Sequence, residues 1–161
     1  MLKFKTASRK ITETLGLKWT PIAGRFSDDA EKVSKSTVKM SICKALREAR
    51  HNNAVISFSK ENCACPGGRH FTGLEIAAIE TFAPSRTKDG HRVFNSLNTA
   101  LTSIRKQPQP VKRGDFFILG KLENFGEEPD LVFLFVNPAQ PDRVLGLVSL
   151  KGSEPFMYYA I

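Results

Sequence analysis

Ala54-Val55-Ile56-Ser57-Phe58, then Asn62-Cys63-Ala64-Cys65-Pro66-Gly67-Gly68-Arg69-His70, then Phe71, Leu74 and Ile76-Ala77-Ala78-Ile79 make up the stretch on which the reading of this chain turns. The first run is short and apolar, as a buried strand is, and the last has the spacing of a helix face. The residues between them form a strand-to-helix loop. They hold two of the chain's three cysteines, a proline, paired glycines and a histidine. Gly67 and Gly68 lack the Cβ that disfavours positive φ, so successive N–H groups can point into one concavity, suited to an anion or to the sulfurs of a thiolate-bound cluster.

On the N-terminal side, Ile42, Ala45, Leu46 and Ala49 line one face of a helix that starts after Ser41 and stops at Asn52-Asn53. Cys43 falls in its first turn, where the positive end of the helix dipole favours a thiolate. Further back, Ala7, Ile11 and Leu15 predict an amphipathic packing helix over 6–17, ended by Gly16. Trp19 to Phe26 alternates as a strand does, with Pro21 confining it to an edge or to the strand's start. Residues 27–36 are polar and loop-like.

On the C-terminal side, the helix after the loop is predicted from about Phe71 to Thr81, stopping before Pro84. A polar turn over 85–90 leads to a helix at about 92–106, carried by Phe94, Leu97, Ala100, Leu101 and Ile104. Pro108-Gln109-Pro110 is a stiff connector. Phe116 to Gly120 and Leu131 to Val136 are continuous apolar runs, which predicts two central strands covered on both faces. Asn137-Pro138 breaks the second. Pro141 then suits the first position of a helix over Val144, Leu145, Leu147 and Val148, and Phe156 to Tyr159 adds a last strand. The expected class is α+β: a mixed β-sheet with helices packed on it, in a single domain over residues 1–161.

At 161 residues the chain is long enough to bury a hydrophobic core, and its 41% hydrophobic and 25% charged content excludes disordered and collagen-like classes. The apolar run from Leu131 is too short to cross a bilayer, and Met1-Leu2-Lys3-Phe4-Lys5 lacks the continuous apolar core of a secretory signal, so the expected location is the cytoplasm. The net charge of +8 is concentrated in residues 1–50, with 12 Lys/Arg against 5 Asp/Glu, while the remainder has 12 against 11. No aromatics interleave with these basic residues and no reading helix accompanies them, so a solvated basic face outweighs nucleic-acid binding.

Three cysteines cannot all pair within one chain, and a Cys63–Cys65 bond would close a small strained ring. Reduced thiols, or thiolates on a metal, fit a reducing compartment. The leading expectation is that Cys43, Cys63 and Cys65 converge on one metal centre with a redox or accessory role, an iron–sulfur cluster ahead of zinc, with His70 as the fourth ligand for zinc. The spacing is not the Cys-x-x-Cys knuckle of zinc ribbons, and buried free cysteines are common as small hydrophobes. A second reading is a non-catalytic binding module that holds a small anionic ligand in the loop of Pro66, Gly67, Gly68 and Arg69. A third is a thiol enzyme with Cys65 or Cys63 as nucleophile and His70 as base, although no orienting Asp stands at a recognisable spacing. The partners these readings imply are a redox protein or a small anion. Asp115 and Asp130 read as turn residues, His51 as a helix end, and His91 as part of a turn. Asn137 ends a strand where open sheets often face a ligand, with turn capping the blander role.

Cys43-Lys44-Ala45-Leu46-Arg47-Glu48-Ala49, Cys65-Pro66-Gly67-Gly68 with Gly73-Leu74, and Phe135-Val136-Asn137-Pro138, taken in order, resemble the prokaryotic domain of unknown function (DUF) family 169 over about residues 15–150. Pro21 also suits that family's proline-bearing early strand. The resemblance implies an archaeal or bacterial cytoplasmic protein with an α-plus-β domain, and Cys43 and Cys65 as its paired functional thiols. It carries no reaction. Members of the family are usually longer, with a further cysteine- and arginine-bearing C-terminal segment, and Cys63 is no part of the core motif; the expectation is that Cys63 takes that segment's place or that the site has been lost.

Overall fold

The computed structural model describes residues 2–29, 39–87, 93–106, 111–141 and 144. In chain order these form α1 (Leu2–Leu15), β1 (Ile22–Ser27), α2 (Ile42–Asn52), β2 (Ile56–Phe58), α3 (Pro66–Thr72), α4 (Ile79–Ser85), α5 (Leu97–Arg105), β3 (Phe116–Lys121), a 3₁₀ turn (Leu122–Asn124) and β4 (Leu131–Phe133). The strands make one sheet in the order β2-β3-β1-β4. All its pairings are antiparallel, with Ile22 opposite Lys121 and Phe133, and Ile56 opposite Leu119. The expected α+β class holds, while the sheet, expected to be mixed, is antiparallel throughout the described residues. The one parallel pairing among the described residues is an isolated bridge between Met40 and Cys63, outside the sheet.

Strand alternation divides the core between two faces. On one, Ile22, Ile56, Phe58, Phe117 and Leu119 pack with Ala45 and Ala49 of α2. On the other, Ala23 and Ile118 pack with Phe4 and Ile11 of α1, and with Leu122 and Phe125. The two alanines let α2 lie close to the sheet. A Cβ at Gly24 would come within 2.8 Å of the Phe117 ring, so the centre of the sheet is closed by an aromatic seated over a glycine. Phe117 also stacks on Phe26, with ring centroids 4.8 Å apart. Ala83, Ala100 and Ile104 form a separate small cluster between α4 and α5.

Several sequence expectations meet their physical reasons here. α1 ends at Gly16, with φ at +61°. α2 begins at an Ser41 cap and ends at Asn53 in the left-handed region. Pro21 stands one residue before β1, so its missing N–H costs no ladder bond and β1 can be paired on both sides. β3 is central, as its apolar run predicts, whereas β4 is an edge strand paired to β1, with Leu131 44% and Val132 42% exposed. The apolar run alone could not tell a covered strand from an edge. The helix expected from Phe71 to Thr81 is two helices. α3 starts five residues earlier, at Pro66, and stops at Gly73 in the left-handed region, while Pro84 sits inside α4. Residues 30–36, 88–92, 108–110, 145–148 and 156–159, where further loop, connector, helix and strand features are expected, lie outside the described residues, as does His91.

Gly73 is the tightest joint in this arrangement. Its φ is +74°, and a Cβ there would stand 2.1 Å from the Val111 carbonyl oxygen. Gly73→Ala therefore meets both a backbone penalty and a clash with main chain, and is expected to lower stability by about 3 kcal/mol or more. A urea unfolding midpoint compared with that of the unaltered chain measures it.

Candidate functional site

The site is built where the entries to α2 and α3 meet. The Met40 N–H donates to the Asn62 carbonyl at 3.2 Å, and the Ala64 N–H donates to the Met40 carbonyl at 3.0 Å. One residue later, Ser41 caps α2 by accepting from the Lys44 N–H at 3.2 Å. The facing loop is closed on itself by Asn62, whose Oδ1 accepts from the Ser59 N–H at 2.7 Å while its Nδ2 donates to the Ser57 carbonyl at 3.2 Å. The backbone then enters α3 through Cys65. Its Sγ accepts from the Gly68 N–H at 3.2 Å, the N-cap contact more often made by Ser or Asp, and Pro66 follows as first helical residue.

This corrects the reading of the glycines. Gly67 and Gly68 lie in the first turn of α3, and the positive-φ glycines among the described residues are Gly16 and Gly73. Gly68 provides room instead: a Cβ there would be 3.0 Å from Cδ1 of Ile42 and 3.3 Å from Cβ of Cys65. The first residue of α2 is thus seated on the first turn of α3, and Cys43 is its neighbour.

The three cysteines have different fates. Cys43 is exposed and Cys65 half-buried. Cys63 is 1% exposed, its Sγ lies 3.7 Å from the Cys65 carbonyl oxygen, and burial pushes its thiol pKa up, so it stays protonated. His70 is 1% exposed and set edge-on to Phe71, and burial pushes its imidazole pKa below the ordinary value. Buried and neutral, it forms part of the packed interior and not an open ligand position. Arg69 is committed to the loop. Its Nε is 2.7 Å from a Glu75 carboxylate oxygen, and Nη1 donates to the carbonyls of Cys63 at 3.3 Å and Lys60 at 3.5 Å. The guanidinium and the Gly68 N–H, both counted on to hold an anion, are therefore already engaged. Among the described residues no three His, Cys, Asp or Glu side chains are grouped to hold a metal ion.

The remaining candidates have local duties. Asn137 makes a turn, its Oδ1 accepting from the Ala139 N–H at 2.9 Å and its N–H donating to Gln140 Oε1 at 2.7 Å. Through Gln140, whose Nε2 donates to the carbonyls of Leu15 at 3.0 Å and Gly16 at 2.7 Å, this turn is held at the end of α1, and two residues earlier in the chain Phe135 has the guanidinium of Arg50 4.8 Å from its ring centroid. Asp130 accepts from the Phe26 N–H at 2.8 Å, and Asp115 pairs with Lys112 at 2.7 Å. His51 stands edge-on to Trp19, whose ring also carries Arg50 at 4.7 Å. Sequence reasoning missed this cation stacked on two aromatics, because Trp19, Arg50 and Phe135 are far apart along the chain. It also missed the Cys65 cap, although Cys-Pro followed by a helix was the available signal.

Compared with known protein families, residues 10–159 match DUF169, described as "Uncharacterised ArCR". The chain belongs to the DUF169 family. No curated protein and no solved structure matches it. In this DUF169 member, Cys65-Pro66-Gly67-Gly68 of the motif open α3, with Ile42 seated on Gly68, while Cys43 is exposed in the first turn of α2.

Two outcomes follow from this geometry. Cys65→Ala removes the cap and is expected to cost about 1 kcal/mol, whereas Cys65→Ser keeps an acceptor for the Gly68 N–H and is expected to cost much less; thermal melts of both variants separate the two. For His70, the native state holds the ring neutral, while the unfolded chain takes up a proton as pH falls through the ordinary value of 6.5. The unfolded state then binds more protons, so this group's contribution is present above that pH and lost below it. Urea midpoints at neutral pH and at about one unit below that ordinary value should diverge more in the unaltered chain than in His70→Gln.

Proposed function

We propose that this DUF169 protein works through the sulfurs of Cys43 and Cys65, as a two-thiol centre with a redox or soft-ligand role. The observation that carries the reading is the Cys65 sulfur acting as cap of α3, on the same helix turn that receives Ile42, the neighbour of exposed Cys43. Sulfurs at helix starts face backbone N–H groups and the positive end of the peptide dipoles, the surroundings in which reactive cysteines are found.

An iron–sulfur or zinc centre draws on about four protein donors in most structural sites. Here Cys63 and His70 are sealed in the interior, so half-buried Cys65 and exposed Cys43 are the sulfurs open to a partner, fewer accessible donors than either group uses. The thiol-enzyme reading keeps a nucleophile in Cys65 but loses His70 as its base. The anionic-ligand reading loses its donors to Cys65 and Glu75.

The test combines anaerobic purification, iron, sulfide and zinc analysis, and timed alkylation of the native protein. Cys43 and Cys65 are expected to react on the order of a hundredfold faster than Cys63, which is reached only when the structure opens. Any bound metal should be lost in Cys43→Ser and Cys65→Ser and kept in Cys63→Ser. Alkylation of Cys63 as fast as that of Cys65, or metal content that follows Cys63 alone, would overturn the proposal.

A further inference from the structure

We propose that a cleft along α1 binds a short peptide with free termini, two or three residues long. The cleft has a volume of about 490 Å³ and is lined by Lys5, Ser8, Arg9 and Glu13 of α1, by Thr20 before β1, and by Glu123 of the 3₁₀ turn. That volume lies in the range of small-ligand sites, roughly 300–1,000 Å³. α1 packs through Phe4 and Ile11 with Ala23, Ile118, Leu122 and Phe125, whereas the cysteine loop packs with α2 on the other face of the sheet. The cleft is therefore independent of the two-thiol reading and adds a second site to it.

Two observations point to a ligand. The first is Ser8, which shares the helix side of Phe4, Ile11 and Leu15 by its spacing and so places a hydroxyl in an apolar face. It is 0% exposed, and its Oγ has no hydrogen-bond partner among the described residues. Thr12, one turn on, donates to the Ser8 carbonyl at 2.8 Å and leaves that Oγ unanswered. A buried hydroxyl is costly to leave so, and a polar ligand atom at the cleft's lining would relieve it. The second is the charge. Lys5 and Arg9 are cations and Glu13 and Glu123 anions, yet among the described residues no ion pair joins them or ties them elsewhere, although Arg9 and Glu13 stand one turn apart, where such pairs form readily. Two charges of each sign repel a simple anion as much as they attract it, and match a ligand that carries both. Spacing sets its length. At 1.5 Å per residue, Glu13 lies about 6 Å along the axis from Arg9 and about 12 Å from Lys5. Each peptide residue spans roughly 3.5 Å, so two or three cover that gap and a free amino acid does not. The terminal carboxylate is then held by Arg9 and Lys5, and the terminal ammonium by Glu13 and Glu123.

Calorimetric titration of the reduced, unaltered chain with trialanine is the test, run beside N-acetyl-trialanine, trialanine amide and free alanine. Trialanine is expected to bind, and each of the other three to bind on the order of tenfold or more weakly, since each loses one charge-assisted contact or the span between them. Arg9→Gln should remove the preference for trialanine over its amide, and Glu13→Gln the preference over the N-acetyl form. Ser8→Ala should weaken trialanine on the order of tenfold while its melting temperature stays level or rises, because the free protein has no Ser8 hydroxyl bond to lose. Circular dichroism checks that each variant is folded. Cys43→Ser and Cys65→Ser are expected to bind trialanine as the unaltered chain does, so this site and the thiol centre stand or fall separately. No binding of trialanine, or equal affinity for the blocked peptides, overturns the proposal. Free alanine bound as tightly as trialanine overturns the peptide assignment. A lowered melting temperature with unchanged affinity in Ser8→Ala makes Ser8 structural and removes it from the site.

Discussion

The pair of backbone hydrogen bonds between Met40 and the Asn62–Ala64 segment is the constraint on which the site depends. Those bonds fix where two helices begin. α2 is pinned at its other end by packing of Ala45 and Ala49 on the sheet and by Arg50 between Trp19 and Phe135, so its axis cannot drift. α3 has only seven residues, too few to hold together by its own hydrogen bonds, and relies on what surrounds it. What surrounds it is Ile42 on Gly68, the Cys65 cap, Arg69 clamped onto the loop carbonyls, and Gly73 pressed against Val111. Without the Met40 stitch, the seating of Ile42 on Gly68 would lose the backbone pairing that aligns the two helix starts.

The sheet has a supporting part in this. β2 delivers the loop, and its register against β3 places Phe58 opposite Phe117 at the apolar centre. A shift of one residue would turn Ile56 and Phe58 away from α2 and bring Ser57 toward it, so the burial of these side chains fixes the loop's point of departure. The aromatic pair Phe26 and Phe117, and the space left for a ring at Gly24, lock β1 and β3 together behind it. The site is therefore carried by short elements resting on an antiparallel floor of packed aliphatic and aromatic side chains.

How much of this could be read in advance differs by element, for physical reasons. α1, α2 and α5 have one apolar face each and stand out by spacing alone; Ser41, Asn53 and Gly16 mark boundaries because each has a local task at a helix end. β3 is legible as a continuous apolar run, but β4 reads the same way and is an edge, since hydrophobicity records that a strand packs, not how many strands flank it. The paired glycines misled because glycine serves two different ends: it permits unusual φ, or it vacates space. At Gly68 the second applies, and the side chain that demands the space, Ile42, lies in another helix. His70 misled in a similar way, because a histidine beside cysteines suggests a ligand, while its burial on α3 can be known only once the neighbours are placed.

The divergence of Cys63 and Cys65 follows from two backbone rules acting in succession. In an extended segment, residues two apart point to the same side, and both side chains do join the apolar cluster under α2, with Ala64 between them exposed. By alternation alone the two would be equivalent. At Cys65, however, the extended backbone, with φ −102° and ψ 110°, gives way to a helix, and its sulfur turns back to meet the Gly68 N–H. That turn keeps Cys65 half-accessible while Cys63, one pleat earlier, is sealed beneath Met40 and the loop. Helix initiation, and not cysteine spacing, thus decides which sulfur of the Cys-x-Cys pair remains open to chemistry.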